Sequence, residues 1–386
     1  MINFNYLAST KIYFGKDEEK NVGRYIKERG FKKVLFHYGM NSIKRSGLYD
    51  SVIKSLKEND LEYVELGGVE ANPTSLLANE GVKLARKENV DFILAVGGGS
   101  VIDSSKAIAH GVFYQGDVFD FNLNKIIPLK SLPFGVILTI SAAGSEMSTS
   151  CVLQDTETKV KKGFNSETNR PLFAIENPYL TFSVPLNQTG YGVVDIIAHT
   201  LERYFNKSDE LEFADYLAEG LLRAVIDAGY VVSKKLDSYD ARATLMVASS
   251  YSHNGLTGLG KVFSFPIHQL EHQISGIRKD ISHGGGLACL IPSWMKVIYP
   301  YDKEKFKRFA LEVCKVENIG TDEEIILKGI NKLEELFSLF KIPLKLSEYN
   351  ISKEDIEFMV NRLPEVINSN IPLTRALARE IYNLAM

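Results

Sequence analysis

Up to about residue 185 the chain alternates short apolar, β-rich runs with amphipathic stretches. The runs are Lys33 to His37, Tyr63 to Leu66, Phe92 to Val96, Gly135 to Ile140 and Leu172 to Ile175, and Asn21 to Arg29 and Ser75 to Glu88 carry apolar residues at helical spacing. This alternation predicts an α/β domain with a mostly parallel, Rossmann-like sheet covered on both faces by helices. After Pro185 the pattern turns helical nearly throughout: Gly190 to Tyr204, Glu210 to Lys234, Tyr239 to His253, His268 to Gly276, Gly284 to Tyr299, Lys303 to Cys314, Asp322 to Leu339 and Ser352 to Arg362. Two domains are therefore expected, an α/β domain over 1–185 and an all-α domain over 186–386, with the cleft between them the default site. Internal repeats, low-complexity segments and long linkers are absent from the pattern.

One βα junction carries candidate chemistry. Asp91 to Val96 reads as a buried strand running into Gly97-Gly98-Gly99-Ser100 and then a helical stretch, Val101 to His110. Glycines there let the backbone approach a pyrophosphate, whose charge meets the free N–H groups and positive dipole of a helix start. Asp103 and Lys106 follow in the first two turns. The run is not a GxGxxG fingerprint, and three glycines alone suit an ordinary βα turn equally well.

Histidine placement supplies a second signal. Asp195 and His199 are four apart, as are His268 and His272, and His283 follows shortly after; a spacing of four stacks side chains on one helix face. Taken alone, the Asp195/His199 pair reads as a helix-surface hydrogen bond. With only seven histidines in the chain, the clustering of three at 268, 272 and 283 points instead to a divalent metal, and carboxylate with imidazole suits zinc or ferrous iron. His37, His110 and His253 lie outside this constellation and are assigned no function.

Taken together, Gly97-Gly98-Gly99-Ser100-x-x-Asp103-x-x-Lys106, Asp195-x3-His199, His268-x3-His272 and His283-Gly284 resemble the iron-containing alcohol dehydrogenase family. Ile12-Tyr13-Phe14-Gly15, Thr139-x-Ser141-x-x-Gly144-Ser145-Glu146 and Asn177-Pro178-x-x-Thr181 agree, and the match runs nearly end to end. Tyr38-Gly39, Ser42, Lys44-Arg45 and Gly47 are similar to the first βα turn of the NADP-using butanol dehydrogenases and broad-range aldehyde reductases. The resemblance implies a dehydroquinate synthase-like α/β fold with a helical C-terminal domain. It implies Asp195, His199, His268 and His283 as metal ligands, and His272 as a residue for proton transfer or positioning outside the first shell. It also implies NADP(H) contacts at Gly39, Ser42, Lys44, Gly97, Gly98, Gly99, Ser100, Asp103, Thr139, Ser141, Lys161 and Leu180. The activity implied is hydride transfer between NADP(H) and a primary alcohol or aldehyde such as butanol or butanal, with Fe2+ or Zn2+ as the Lewis acid.

Two departures stand out. Ala142 and Ala143 replace the Gly-Thr that commonly precedes Gly-Ser-Glu, and His268 and His283 are fifteen apart, one more than the family spacing, which places an insertion in Ser275 to Ser282. Where an NAD enzyme sets an acidic residue against the adenosine ribose, this chain has Gly39, Ser42, Lys44 and Arg45, a set fitting a 2′-phosphate; a solvated helix face explains the two bases otherwise. The missing acid at 39 argues against an NAD-using, glycerol dehydrogenase-like polyol enzyme. The extra imidazole argues against that enzyme and against a dehydroquinate synthase-like lyase. A non-catalytic nucleotide-binding protein of the same fold is the remaining alternative.

The 386 residues, 45% hydrophobic and 24% charged, suffice for two cores. A net charge of −3 gives no attraction to nucleic acid or anionic membrane. Three widely spaced cysteines, Cys151, Cys289 and Cys314, form neither a disulfide framework nor a metal knot. Without a leader-like N-terminus or a run of membrane-spanning length, a cytoplasmic protein is expected. Family likeness implies a homodimer, with the strand-like Tyr6 to Phe14 pairing across its interface. Tyr251, Phe263 and Phe265 are candidates to line an apolar substrate pocket, whereas Trp294, Tyr299 and Tyr301 read as packing residues.

Overall fold

A computed structural model describes residues 3–206, 211–262 and 264–386. The chain divides into two compact units, Leu7–Val184 and Pro185–Met386, the second also taking in the segment before Leu7.

The first unit is built on strands β1 (Lys11–Phe14), β2 (Lys33–Gly39), β3 (Glu62–Val69), β4 (Phe92–Gly97), β5 (Phe134–Leu138), β6 (Ser150–Asp155), β7 (Val160–Asn165) and β8 (Phe173–Glu176). Six of them form one sheet in the order β1-β8-β5-β4-β2-β3, with every pairing parallel. Its helices are α1 (Val22–Lys27), α2 (Ser42–Arg45), α3 (Leu48–Glu58), α4 (Ser75–Lys87), α5 (Gly99–Gly111) and α6 (Phe119–Asn122). Every residue of β4 and β5 is buried, which is why these strands read as unbroken apolar runs: helices cover both faces of a parallel sheet. From β2 the chain passes outward to β3 and then back across to β4, so the strand order reverses between β2 and β4. Ligands of open α/β sheets bind beyond the carboxyl ends of strands at such a point.

Two details differ from the pattern reading. Regular strand begins only at Lys11, on the sheet edge beside β8, instead of spanning Tyr6 to Phe14. A β6–β7 antiparallel hairpin, separate from the main sheet, stands where no strand was expected. Its sequence mixes lysines with apolar residues and carries no clean period.

The second unit comprises α7 (Leu186–Tyr204), α8 (Glu212–Lys234), α9 (Tyr239–His253), α10 (Pro266–Ile277), α11 (His283–Ile298), α12 (Lys303–Arg308), α13 (Asp322–Ser338), α14 (Lys353–Arg362) and α15 (Arg375–Leu384). A two-residue antiparallel ladder between Val366–Ile367 and Leu373–Thr374 interrupts it, and α15 was not foreseen. α7 packs against α8, α9 and α11, and every residue from Gly192 to Tyr204 is buried. A helix enclosed on all sides is expected to be apolar throughout. α7 instead buries Asp195, His199, Glu202 and Arg203, and buried polar groups of this kind require partners.

Candidate active site

Asp195 and His199 project from one face of α7, and His268 comes from the first turn of α10. Their ligand atoms lie within 4.8 Å of one another, and all three residues are buried. Asp195 Oδ1 is the point of convergence: His199 Nε2 stands 3.3 Å from it, His268 Nε2 3.6 Å and His283 Nε2 3.9 Å. Asp195 Oδ1 and His268 Nε2 have no hydrogen-bond partner among the described residues. Buried polar atoms left unpaired and aimed at one another are costly unless a ligand joins them. A carboxylate oxygen and three imidazole nitrogens gathered in this way fit a divalent cation of the zinc or iron type.

Two carboxylates that the sequence reading missed complete the centre. Glu202 accepts a hydrogen bond from His268 Nδ1, and its second oxygen accepts from the backbone N–H of Ile267 at 2.6 Å and of His268 at 3.3 Å. Glu271 engages His283 Nδ1 with one oxygen and the Ser275 hydroxyl with the other. Each carboxylate fixes the ring that leaves Nε2 free for a metal. Spacing could have revealed both. Asp195, His199 and Glu202 recur at i, i+4 and i+7 on one face of α7, and Glu271 and Ser275 repeat the interval of four on α10.

Electrostatics separates two of the imidazoles. Burial pushes the His199 pKa well below the usual range, and the neighbouring His253 and His268 push it the same way. Burial acts against the charged form of His268 too, but Glu202 and Asp195 overcome it and hold the group up at about 9.

His272 lies one turn beyond His268, half-buried, its ring centroid 5.8 Å from that of His283. It groups with Glu271 and His283, apart from the Asp195–His199–His268 set. The Phe265 ring stands 5.9, 5.9 and 5.5 Å from the rings of His199, His253 and His268, with the Arg203 guanidinium 4.8 Å from its centre. Tyr251 is exposed on α9, and Phe263 lies outside the described residues. Between His268 and His283, α10 runs to Ile277, close to the expected helix end at Gly276, and Arg278 pins the short connection by pairing with Asp280 at 2.9 Å and donating to the Tyr349 carbonyl at 2.7 Å. His253, which the sequence reading left without a function, stands against His199 with Nδ1 3.2 Å from its Nε2.

In the α/β unit, Gly39 and Gly97 end the neighbouring strands β2 and β4 at the point where strand order reverses. Close packing is what requires glycine at 97 and 98. A Cβ on Gly97 would stand 2.5 Å from Val101 Cγ2, and one on Gly98 2.4 Å from Ile140 Cγ2. Gly98 has an ordinary φ of −95°, so the run contributes room and not left-handed backbone. Val101 and Ile102 donate the first bonds of α5, both to the Gly98 carbonyl, and the earlier N–H groups of Gly99 and Ser100 stand at the positive helix end. The Thr139 N–H donates to the Gly97 carbonyl at 3.1 Å, and Ser141 Oγ is buried without a partner among the described residues.

Other residues of the implied cofactor set also have partners within the fold. Asp103 accepts from Ser145 Oγ at 2.5 Å and from Val152 N–H at 2.9 Å, while the buried Lys106 donates to Ser145 Oγ at 2.7 Å and to the Ser150 carbonyl at 2.6 Å. Both residues thus brace α5 against the β6–β7 hairpin. Lys161 lies on β7 opposite Gln154. Leu180 is partly buried against the core that includes Phe92, Phe173 and Ile175. Ser42 opens α2, and the Lys44 ammonium lies 5.4 Å and 5.1 Å from the ring centres of Tyr38 and Tyr49. Both phenols donate to Glu65 on β3, at 3.0 and 2.9 Å. This neighbouring-strand carboxylate escaped a reading confined to the β2 turn.

Residues 9–178 match the family model described as iron-containing alcohol dehydrogenase, and residues 189–380 match the C-terminal model of the Fe-containing alcohol dehydrogenase family. The chain is 42% identical to NADH-dependent butanol dehydrogenase A of Clostridium acetobutylicum, covering 94% of this chain and 93% of that protein. It is 32% identical to the NADPH-dependent aldehyde reductase YqhD of Escherichia coli over 100% of both. The crystal structure of NADH-dependent butanol dehydrogenase A from Thermotoga maritima is similar with a TM-score of 0.95 and 38% identity, covering 100% of this chain and 99% of that one.

Proposed function

Because the chain belongs to the iron-containing alcohol dehydrogenase family and is an NAD(P)-dependent alcohol dehydrogenase, we propose that it reduces aldehydes such as butanal with NADPH at a divalent metal, and oxidises the primary alcohol in reverse. The observation that carries this reading is the convergence of three imidazole Nε2 atoms on the unpartnered, buried Oδ1 of Asp195.

A bound Fe2+ or Zn2+ supplies Lewis acidity that polarises a carbonyl, and the reduced nicotinamide supplies the hydride. Asp195, His199, His268 and His283 hold the cation. Glu202 and Glu271 keep His268 and His283 in the ligating orientation. Phe265 sets an apolar ring against the imidazoles of His199 and His268. His272, half-buried beside His283, positions the substrate oxygen or passes the proton that completes the alcohol. In the α/β unit, Gly97 to Ser100 receive the pyrophosphate on the start of α5, with Asp103, Thr139, Ser141, Lys161 and Leu180 as the remaining nucleotide contacts. NADPH is preferred on the absence of an acidic group at Gly39 together with Ser42 and Lys44, although the relatives' names divide between the two cofactors. The exposed edge of β1 suits pairing with a second copy, which makes a cytoplasmic homodimer the assembly we infer.

Oxidation of NADPH and of NADH with butanal, on anaerobically purified protein before and after chelation, tests this. The expected result is NADPH-linked turnover that vanishes on chelation and returns with ferrous iron or zinc. Metal-loaded protein that leaves butanal untouched with both cofactors would reject the substrate class and turn the search to polyols. Turnover insensitive to chelation would reject the metal.

A further inference from the structure

We propose that His253 is a fifth protein ligand of the metal centre, which makes the site one carboxylate and four imidazoles. The inference rests on the metal-centre reading above and adds to it a residue at the end of α9.

His253 Nδ1 lies 3.2 Å from His199 Nε2, the same nitrogen that stands 3.3 Å from Asp195 Oδ1. Two atoms each about 2.1 Å from one ion are about 3.0 Å apart at a right angle and about 3.4 Å apart at the tetrahedral angle. Both separations fall in that interval. The rings agree: the His199 and His253 centroids are 3.9 Å apart with planes tilted by 46°, and the His199 and His268 centroids are 4.2 Å apart with planes tilted by 33°. His253 thus stands against His199 at the ring spacing of His268, but outside the group of Asp195, His199 and His268 whose ligand atoms gather within 4.8 Å, so ligation requires its ring to swing toward Asp195.

The end of α9 is also fastened at this point. One Arg203 nitrogen donates both to the His199 carbonyl at 2.7 Å and to the Ser252 carbonyl at 3.0 Å, so α7 and α9 are tied together beside the two imidazoles. Phe265 lies equally close to both rings, 5.9 Å from each. A simple hydrogen bond between two neutral imidazoles would occupy His199 Nε2 and oppose any cation that needs it. Sharing the ion removes that conflict.

Coordination number follows. Four protein ligands around zinc give the closed tetrahedral arrangement of structural sites, and catalysis needs an open position. Five protein ligands leave an open position only on an ion that accepts six. The set thus favours an octahedral ion of the ferrous or cobaltous kind over tetrahedral zinc.

Cobalt(II) titration of metal-free protein tests the assignment, with the visible spectrum reporting geometry and chelator competition reporting affinity. Wild type should show the weak bands of five- or six-coordinate cobalt. His253→Phe, which keeps an aromatic ring there, and His253→Ala should give the intense bands of tetrahedral cobalt and weaken binding by on the order of 10-fold or more. Intense tetrahedral bands in wild type would overturn the proposal without recourse to any variant. Unchanged spectra and affinity in both variants would overturn it, and tighter binding would show His253 to be a competitor for His199. Asp195→Asn serves as the control: wild type that binds cobalt no better than this variant overturns the metal-centre reading itself.

Discussion

Glu202 and His268 form a pair in which one carboxylate does two tasks. It fixes the imidazole through Nδ1 and, with its other oxygen, accepts the N–H groups of Ile267 and His268 at the start of α10. These are donors that a helix start otherwise leaves unmet. Ligand orientation and helix capping are thereby joined.

Glu202→Ala should weaken metal binding on the order of 10- to 100-fold and lower stability by about 1–3 kcal/mol, the cost of unsatisfied buried donors. Glu202→Gln, which keeps an accepting oxygen, should recover most of the stability. Chelator competition and urea unfolding read the two effects separately; equal losses in both variants would contradict the capping role.

Phe265→Ala should change the preference among aldehydes of different chain length, because its ring covers the imidazoles of His199, His253 and His268. Each methylene in an apolar pocket is worth about 1–3 kcal/mol. Ratios of kcat/KM for ethanal, butanal and hexanal measure it, and an unchanged ratio places the substrate elsewhere.

Gly98→Ala should destabilise the α/β unit by about 1–3 kcal/mol, since the added methyl meets Ile140 Cγ2 at 2.4 Å. Combining it with Ile140→Ala should recover part of that loss. Thermal unfolding of the single and double variants settles the matter, and an additive double variant would refute the contact.

His37 makes stability depend on pH. Its ring is fully buried on β2, bonded to the Leu66 carbonyl at 2.7 Å and Ser104 Oγ at 2.8 Å, and burial pulls its pKa down to about 4. The unfolded chain takes up this proton near the ordinary value of about 6.5. Between the two the unfolded state binds more protons, so stability falls as pH drops from about 6.5 towards 4, by an upper limit of about 3 kcal/mol. Urea unfolding of His37→Asn against wild type over that range should show a shallower acid loss in the variant.

Lys106→Met should cost about 3–5 kcal/mol, because it leaves the Asp103 carboxylate without the buried ammonium 3.4 Å away. Adding Asp103→Asn should recover part of this in urea unfolding. If the double variant gains nothing, the pair is not coupled.

The sequence by itself determined the alternation that makes a parallel sheet and the helical character of everything after Pro185. It also yielded the pairs Asp195/His199 and His268/His272, because residues four apart on a helix share a face whatever surrounds them. Buried strands such as Phe92–Gly97 were legible because their environment is apolar on both sides. Local pattern carries no information about which helices meet, so only the tertiary structure decided that Glu202 on α7 reaches His268 on α10 and that His253 on α9 lies against His199. The same limit hid Glu65, which reaches Tyr38 from a neighbouring strand, and the bonds by which Asp103 and Lys106 hold Ser145 and the β6–β7 hairpin. Periodicity reports which face of an element is buried; the partner on the other side of that burial is chosen by packing over long sequence distances.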